Sequence, residues 1–176
     1  MTPSRPEVAT PLVDLARLYR DQAPDVHRFA LYLSGDPSLA DDLVSEAFVR
    51  VWTARERVEL TTVRGYLFTI VRNLFLQHLR HERRRTPLDE GIADDQPDPE
   101  VRASDQSRLR VVLAALGTLP EIDRAAVLMR ADGGLPYEEI AAALRISVVA
   151  AKVKVHRARL KLAEALLPAG SKERDP

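Results

Sequence analysis

The sequence predicts an all-α protein built as two small helical units, and three observations carry that reading. Apolar residues recur at helical spacing on both sides of residues 86–106. No stretch alternates apolar and polar residues as a half-buried strand would. The stretch 86–106 itself holds three prolines, one glycine and no aromatic, so it has too little apolar area to offset its ordering entropy. It reads as a flexible acidic linker, with one unit over 12–85 and the other over 107–167.

In the first unit, Leu12, Leu15, Ala16 and Tyr19 form one apolar stripe. Val26, Phe29, Ala30 and Leu33 form a second, ended by Gly35-Asp36-Pro37. Ser38 is placed to cap a third helical stretch, which sets Ala40, Leu43, Val44, Ala47 and Val51 on one face, widened by Phe48 and Trp52. A fourth runs from about Val63 to Arg84. At about 100° per residue, Tyr66, Leu67, Ile70, Val71, Leu74 and Phe75 share its inner side. Arg72, Leu76, Arg80 and Arg83 fall opposite, with Asn73 at the edge.

The second unit reads as helices near Arg108–Leu116, Glu121–Ala131, Tyr137–Leu144 and Ser147–Leu166. Leu119-Pro120 starts the second of these, and Gly133-Gly134-Leu135-Pro136 breaks the chain before the third. The last two, short then long across a turn of about three residues, are the parts of a helix-turn-helix. Ser147 suits the cap of the long helix, and Val148, Ala151, Val155, Ala158 and Leu162 step by three and four along its buried stripe. The face opposite holds Val149, Ala150, Val153, Lys154 and Arg157, with His156 and Lys161 beside it. A helix that is apolar on one side and basic on the other suits the DNA major groove.

Charge supports this only when it is followed along the chain. The 26 basic and 26 acidic residues cancel, which taken alone argues against a polyanionic partner. By segment, however, the net charge is −3 over Val13–Glu59, +5 over Arg64–Arg85, −6 over Thr86–Gln106 and +4 over Ser107–Leu167. Arg145–Lys161 holds 6 basic residues and no acidic one. The two basic patches attract a polyanion within about one Debye length, roughly 10 Å.

The same residues weigh against other functions. With no cysteine, disulfides, thiolate nucleophiles and cysteine-based metal sites are all excluded. The first eleven residues lack the apolar core of a secretory signal and no apolar run is long enough to span a bilayer, so a cytoplasmic chain is expected. His78 and His81, with Glu82 adjacent, have a spacing that can place two metal ligands on one helix face. They lie in a strongly basic helix without a third ligand, and no phosphate-cradling Gly-rich loop or nucleophile elbow occurs, so neither metal, cofactor, small-molecule substrate nor enzymatic activity is expected. The alternatives are a helix-turn-helix regulator with a helical sensing domain, and an interaction protein that keeps this fold without its DNA-reading activity.

The chain resembles bacterial sigma factors, specifically the small extracytoplasmic-function (ECF) group, from about Leu12 to Leu167. The resemblance rests on Ala40 to Trp52, on Gly65-Tyr66-Leu67 with Ile70-Val71-Arg72-Asn73 and Leu79-Arg80, and on Leu119-Pro120, Arg124 and Leu128. It rests further on Tyr137-Glu138-Glu139-Ile140-Ala141, Ser147-Val148, Lys152 and His156-Arg157-Ala158-Arg159. The resemblance implies a dissociable RNA polymerase subunit whose first domain docks on the core enzyme and reads the −10 element as melted strand. Its second domain would read the −35 element, and an anti-sigma factor would be a further partner. Docking would fall to Asp41, Asp42, Glu46 and Arg50. Arg64, Arg72, Asn73, Arg80 and Arg83 would serve the −10 region, Arg64 closing the Glu56–Arg64 loop that resembles the base-capturing segment. The −35 set would be Arg145, Ser147, Lys152, Lys154, Arg157 and Arg159, with Lys154 and Arg157 toward the groove and Arg145, Lys152 and Arg159 on phosphates. The linker would follow the positive RNA exit path.

The chain departs from the family pattern at Ser45, Tyr66 and Gln77, where Gln, Trp and Asp are usual. Arg145 replaces the usual turn glycine, which calls for a left-handed residue costing about 1 kcal/mol. Val149, Ala150 and Val153 stand where Gly, Thr and Ser are usual, so the recognition face loses hydroxyls and gains methyls. Methyls can touch thymine but donate no hydrogen bond, so an altered −35 preference is expected.

Overall fold

The computed structural model describes residues 11–53, 62–85 and 103–166. Over them run α1 (Pro11–Ser34), α2 (Pro37–Thr53), α3 (Val63–Arg85), α4 (Ala103–Gly117), α5 (Glu121–Ala131), α6 (Tyr137–Leu144) and α7 (Val148–Leu166), with no strand among the described residues. The two stripes expected near the N-terminus lie on the single helix α1, with Pro24 inside it. The reason is phase. Tyr19 and Val26 are seven residues apart, close to two turns, so one apolar face runs through both segments. Proline at position 24 removes one ladder bond, and packing of Val26, Phe29, Ala30 and Leu33, all fully buried, holds the helix through it.

The link from α1 to α2 is tight. Gly35 takes a left-handed φ of 75° and donates its N–H to Leu31 O at 2.8 Å. The cap of α2 is Asp36 rather than Ser38. Asp36 Oδ1 accepts from the Ser38 and Leu39 amides at 2.8 and 3.1 Å. Pro37 takes the first helical position, where its missing N–H costs nothing. In the second unit, α4 begins at Ala103, earlier than expected and inside the segment assigned to the linker. The last helix breaker there is Pro99, so Ala103 to Gln106 can continue the helical phase. The remainder of the linker, 86–102, and the Glu56–Arg64 loop as far as residue 61 lie outside the described residues.

Helices α1, α2 and α3 pack on one another, as do α5, α6 and α7, with α4 against α7. The two units also meet: α1 packs on α4 and α5, and α3 on α5 and α6. One buried cluster therefore runs through both units. Its centre is Phe68 of α3, fully buried and stacked on Phe29 of α1 with centroids 4.3 Å apart and planes 9° from parallel. The Cε2 and Cδ2 atoms of the Phe68 ring lie so close to Gly133, in the turn after α5, that a Cβ there would collide with them.

The Phe68 ring and the Asp36 cap should differ sharply on substitution. Phe68→Ala is expected to cost about 3–5 kcal/mol, because it empties a site shared by both units. Asp36→Ala should cost about 1 kcal/mol, the loss of a helix cap. Urea midpoints for the two variants check this, and equal losses would show that Phe68 is not central to the core.

Candidate nucleic-acid interface

The helix-turn-helix forms as its residues dictate. Arg145 ends α6 in the left-handed region, φ 55° and ψ 47°, and its N–H returns to Ala141 and Ala142 carbonyls. Ser147 Oγ accepts from the Ala150 amide at 3.1 Å and so caps α7. Ala151, Val155 and Ala158 are buried against the second unit, leaving the opposite face outward. On that face Val149 is 71% and Val153 41% exposed and Arg157 is exposed; Lys152 and Arg159, on its flank, and Arg145 and Ser147, in the turn before it, are exposed as well. Lys152 Nζ also lies 5.7 Å from the Tyr137 ring centroid, which tethers it near the turn.

Lys154 does not stand with them. Its Nζ lies 3.0 Å from Oδ1 of Asp123, and the two side chains are only 25% and 10% exposed. Helical phase puts position 154 at the edge of the outward face, and a long lysine stem can fold from there toward a neighbouring helix. Asp123, in the first turn of α5, needs that cation because a buried carboxylate is costly unless paired. The expectation that Lys154 faces the groove is corrected on that geometry.

The cations placed on α3 divide in the same way. Asn73, Arg80 and Arg83 are exposed. Arg72, expected on the outer side, turns into the junction instead. Its Nε and Nη2 donate to Oε1 and Oε2 of Glu121 at 2.7 and 2.8 Å, and only 11% of its side chain is exposed. Arg64 joins Asp25 at 2.7 Å and donates to Gln22 Oε1 and Gly133 O, both at 3.3 Å. Of the five α3 residues, three are open and two are held.

Two further arginines, not expected at a site, reinforce the junction. Arg28 Nε donates to Asp132 Oδ1 at 2.5 Å, and this bond is the largest influence raising the Arg28 pKa. Arg124 Nη1 donates to Leu33 O at 2.8 Å, so α5 supplies a cation to the C-terminal end of α1, where the helix dipole favours one. Burial lowers the Arg124 pKa, and the negative charge of Glu121 opposes that. No sequence signal marks Glu121, Asp123 or Asp132 as partners: Glu121 and Asp123, in the first turn of α5, already suit the helix dipole there, and Asp132 stands in a turn where an acid is ordinary.

On α2, Asp41, Asp42 and Glu46 are exposed. Asp41 Oδ1 is 2.9 Å from His27 Nε2, and Glu46 Oε1 accepts from Arg50 Nε at 2.9 Å one turn on. Beside them lies an apolar groove of about 650 Å³ lined by Ala16, Tyr19, Arg20, Ser45, Phe48, Val49 and Trp52. Among the described residues no cluster of three or more His, Asp or Glu could hold a metal, and no helix is long and apolar enough to cross a membrane.

Two helical units, one carrying a basic helix and an acidic one, the other a helix-turn-helix with a basic outer face, define a two-part helical DNA-binding protein. Comparison with known proteins narrows the class. Residues 18–85 match Sigma-70 region 2 and residues 109–162 match Sigma-70, region 4. The ECF RNA polymerase sigma factor SigE of Mycolicibacterium smegmatis is 37% identical over 85% of this chain, which spans 60% of that relative's length. EcfG of Rhodopseudomonas palustris, also an ECF sigma factor, is 31% identical over 87% of this chain and 85% of its own. Among solved structures, the sigma factor RpoE of Bartonella quintana, in complex with the anti-sigma factor NepR, superposes with a TM-score of 0.70 at 26% identity, covering 87% of this chain and 96% of that one. CnrH, in complex with the cytosolic domain of CnrY, gives 0.66 at 24% identity, covers 88% of each chain and shares the fold. The chain belongs to the ECF family of RNA polymerase sigma factors.

The division of the basic residues can be measured. Arg145→Gly should raise stability by about 0.5–1 kcal/mol, by relieving the left-handed residue, while weakening DNA binding through loss of a cation. Lys154→Met should act the other way, lowering stability by about 1–2 kcal/mol because Asp123 loses its partner, with little direct effect on DNA affinity. Chemical denaturation and duplex binding on the same samples check both. A Lys154→Met protein of normal stability that fails to bind DNA would return Lys154 to the groove.

Proposed function

We propose that this chain is an alternative sigma factor that binds core RNA polymerase and directs promoter recognition, melting and transcription initiation. The observation that carries the reading is one chain presenting an outward basic helix-turn-helix and, on a separate helical unit, exposed Asn73, Arg80 and Arg83 beside an acidic, apolar-grooved helix. Arg145, Ser147, Lys152, Arg157 and Arg159 would meet the −35 duplex. Asn73, Arg80 and Arg83, joined by Arg64 and Arg72 when these are released, would meet the melted −10 strand. Asp41, Asp42, Glu46 and Arg50 would dock the core enzyme, charged groups steering approach and the groove between α1 and α2 supplying apolar area.

Sigma factors are initiation factors and not catalysts. On this reading the chain performs no chemistry of its own, needs no cofactor and works in the cytoplasm beside the polymerase. Its likeness to RpoE in the complex with NepR supports an anti-sigma factor as a third partner.

Run-off transcription with core polymerase, this chain and a promoter library tests the proposal. New start sites that depend on the chain are expected, and no core binding with no new start sites would overturn it. Within the same assay, Arg157→Glu should cut −35-dependent initiation by about tenfold or more, the cost of a lost specific contact, while core co-purification stays normal. Alanine at Asp42 and Glu46 together should weaken core co-purification several-fold, more so at low salt. Unchanged binding would place the docking surface elsewhere.

A further inference from the structure

The outward face of α7 carries apolar side chains that core packing does not explain. Val149 and Val153 are both exposed. They stand four residues apart, so they share one row of the helix, about 6 Å apart along its axis. Arg157 continues that row one turn on. Valine has little local reason to be there: its branched side chain costs helix propensity, and at this exposure it adds little to the core. Lys154, whose stem leaves the edge of the same face, is withdrawn onto Asp123. The row therefore offers methyls first and a hydrogen-bond donor only at Arg157.

The surrounding charge says what covers this strip. Arg145, Lys152, Arg157, Arg159 and Lys161 are all exposed around it, and no acidic residue occurs from 145 to 161. An apolar protein surface would meet these cations without compensating charge, whereas a duplex groove brings phosphates along both of its edges. Among the base edges in the major groove, only thymine presents an apolar group, its C5 methyl. The edges of guanine and cytosine present N–H and carbonyl groups, which lose water against a valine without gaining a partner. Leu160, exposed farther along the row, lies beyond the N-terminal part with which a recognition helix contacts base edges.

We propose that Val149 and Val153 are specificity-determining residues that select thymines in the −35 duplex through the C5 methyl group. The inference rests on the reading of α7 as the helix that enters the −35 major groove, and names the base it takes there. The two valines are separated by close to two base-pair steps of about 3.4 Å each, so they meet thymines within two pairs of each other. The flanking cations are indifferent to that choice, because every base pair brings the same phosphates.

A duplex DNA library with a randomised segment, selected by the full chain both alone and bound to core polymerase, tests this. Thymine should be enriched at positions within two pairs of each other. The selected duplex is then rebuilt with uracil at those thymines, which removes the methyls and changes no hydrogen-bonding group. Affinity should fall about fourfold for each methyl removed. Val153→Ser should reduce the preference for thymine over uracil by about fourfold, and Val149→Ser together with Val153→Ser should bring the two duplexes within about twofold of each other. Both positions are exposed, so the variants should fold as the natural chain does, which circular dichroism checks. Val111→Ser, at an exposed position on α4, makes the same chemical change and should leave the preference intact. Equal binding of thymine and uracil duplexes by the unaltered chain overturns the proposal. So does a preference that survives in the double variant, one that is lost equally in Val111→Ser, or a selection that enriches no thymine. Failure of run-off transcription with core polymerase would instead sink the sigma reading, and the thymine-to-uracil ratio of the chain alone would still decide the methyl reading.

Discussion

The whole arrangement turns on the burial of one ring, that of Phe68. It stacks on Phe29, which ties α3 to α1, and its Cδ2 and Cε2 atoms lie against Gly133, which ties the first unit to the second. A glycine is required there because any side chain would meet the ring. Once that contact is made, the surrounding polar groups lose water and must find partners in each other. The Arg72–Glu121, Arg28–Asp132 and Arg124–Leu33 bonds are consequences of that dry contact as much as causes of it.

The basic residues of this chain consequently do two different jobs. Those at the ends of helices and on outward faces, Arg80, Arg83, Arg145, Lys152, Arg157 and Arg159, stay in water and are available to a polyanion. Those one or two turns nearer the packed faces, Arg64, Arg72 and Lys154, neutralise carboxylates that folding has buried or half-buried. Acidic residues of α5 and its C-terminal turn thus neutralise basic residues of α1, α3 and α7 in contact.

Much of the fold was legible because helices announce themselves locally. The bounds of α5 and α6, the left-handed Arg145, the Ser147 cap and the buried stripe of α7 depend on residues within two turns of one another. The misreadings have equally local causes. Two stripes in phase were one helix, since a single proline did not break it. Asp36 and Ser38 are both good caps, and only the position of Pro37 at the first helical turn selects Asp36.

By itself, the sequence determined the all-α class, the two-unit organisation, the helix-turn-helix and the family resemblance, because periodicity, breakers and motif order are properties of neighbouring residues. Only the tertiary structure decided which cations are free. Arg72 and Arg80 are both arginines on the outer side of one helical wheel, yet one is held by an acid 49 positions away and the other is exposed. No local pattern encodes that difference. It arises because the two units share one core, and the partner of a charge at their junction is set by how they pack.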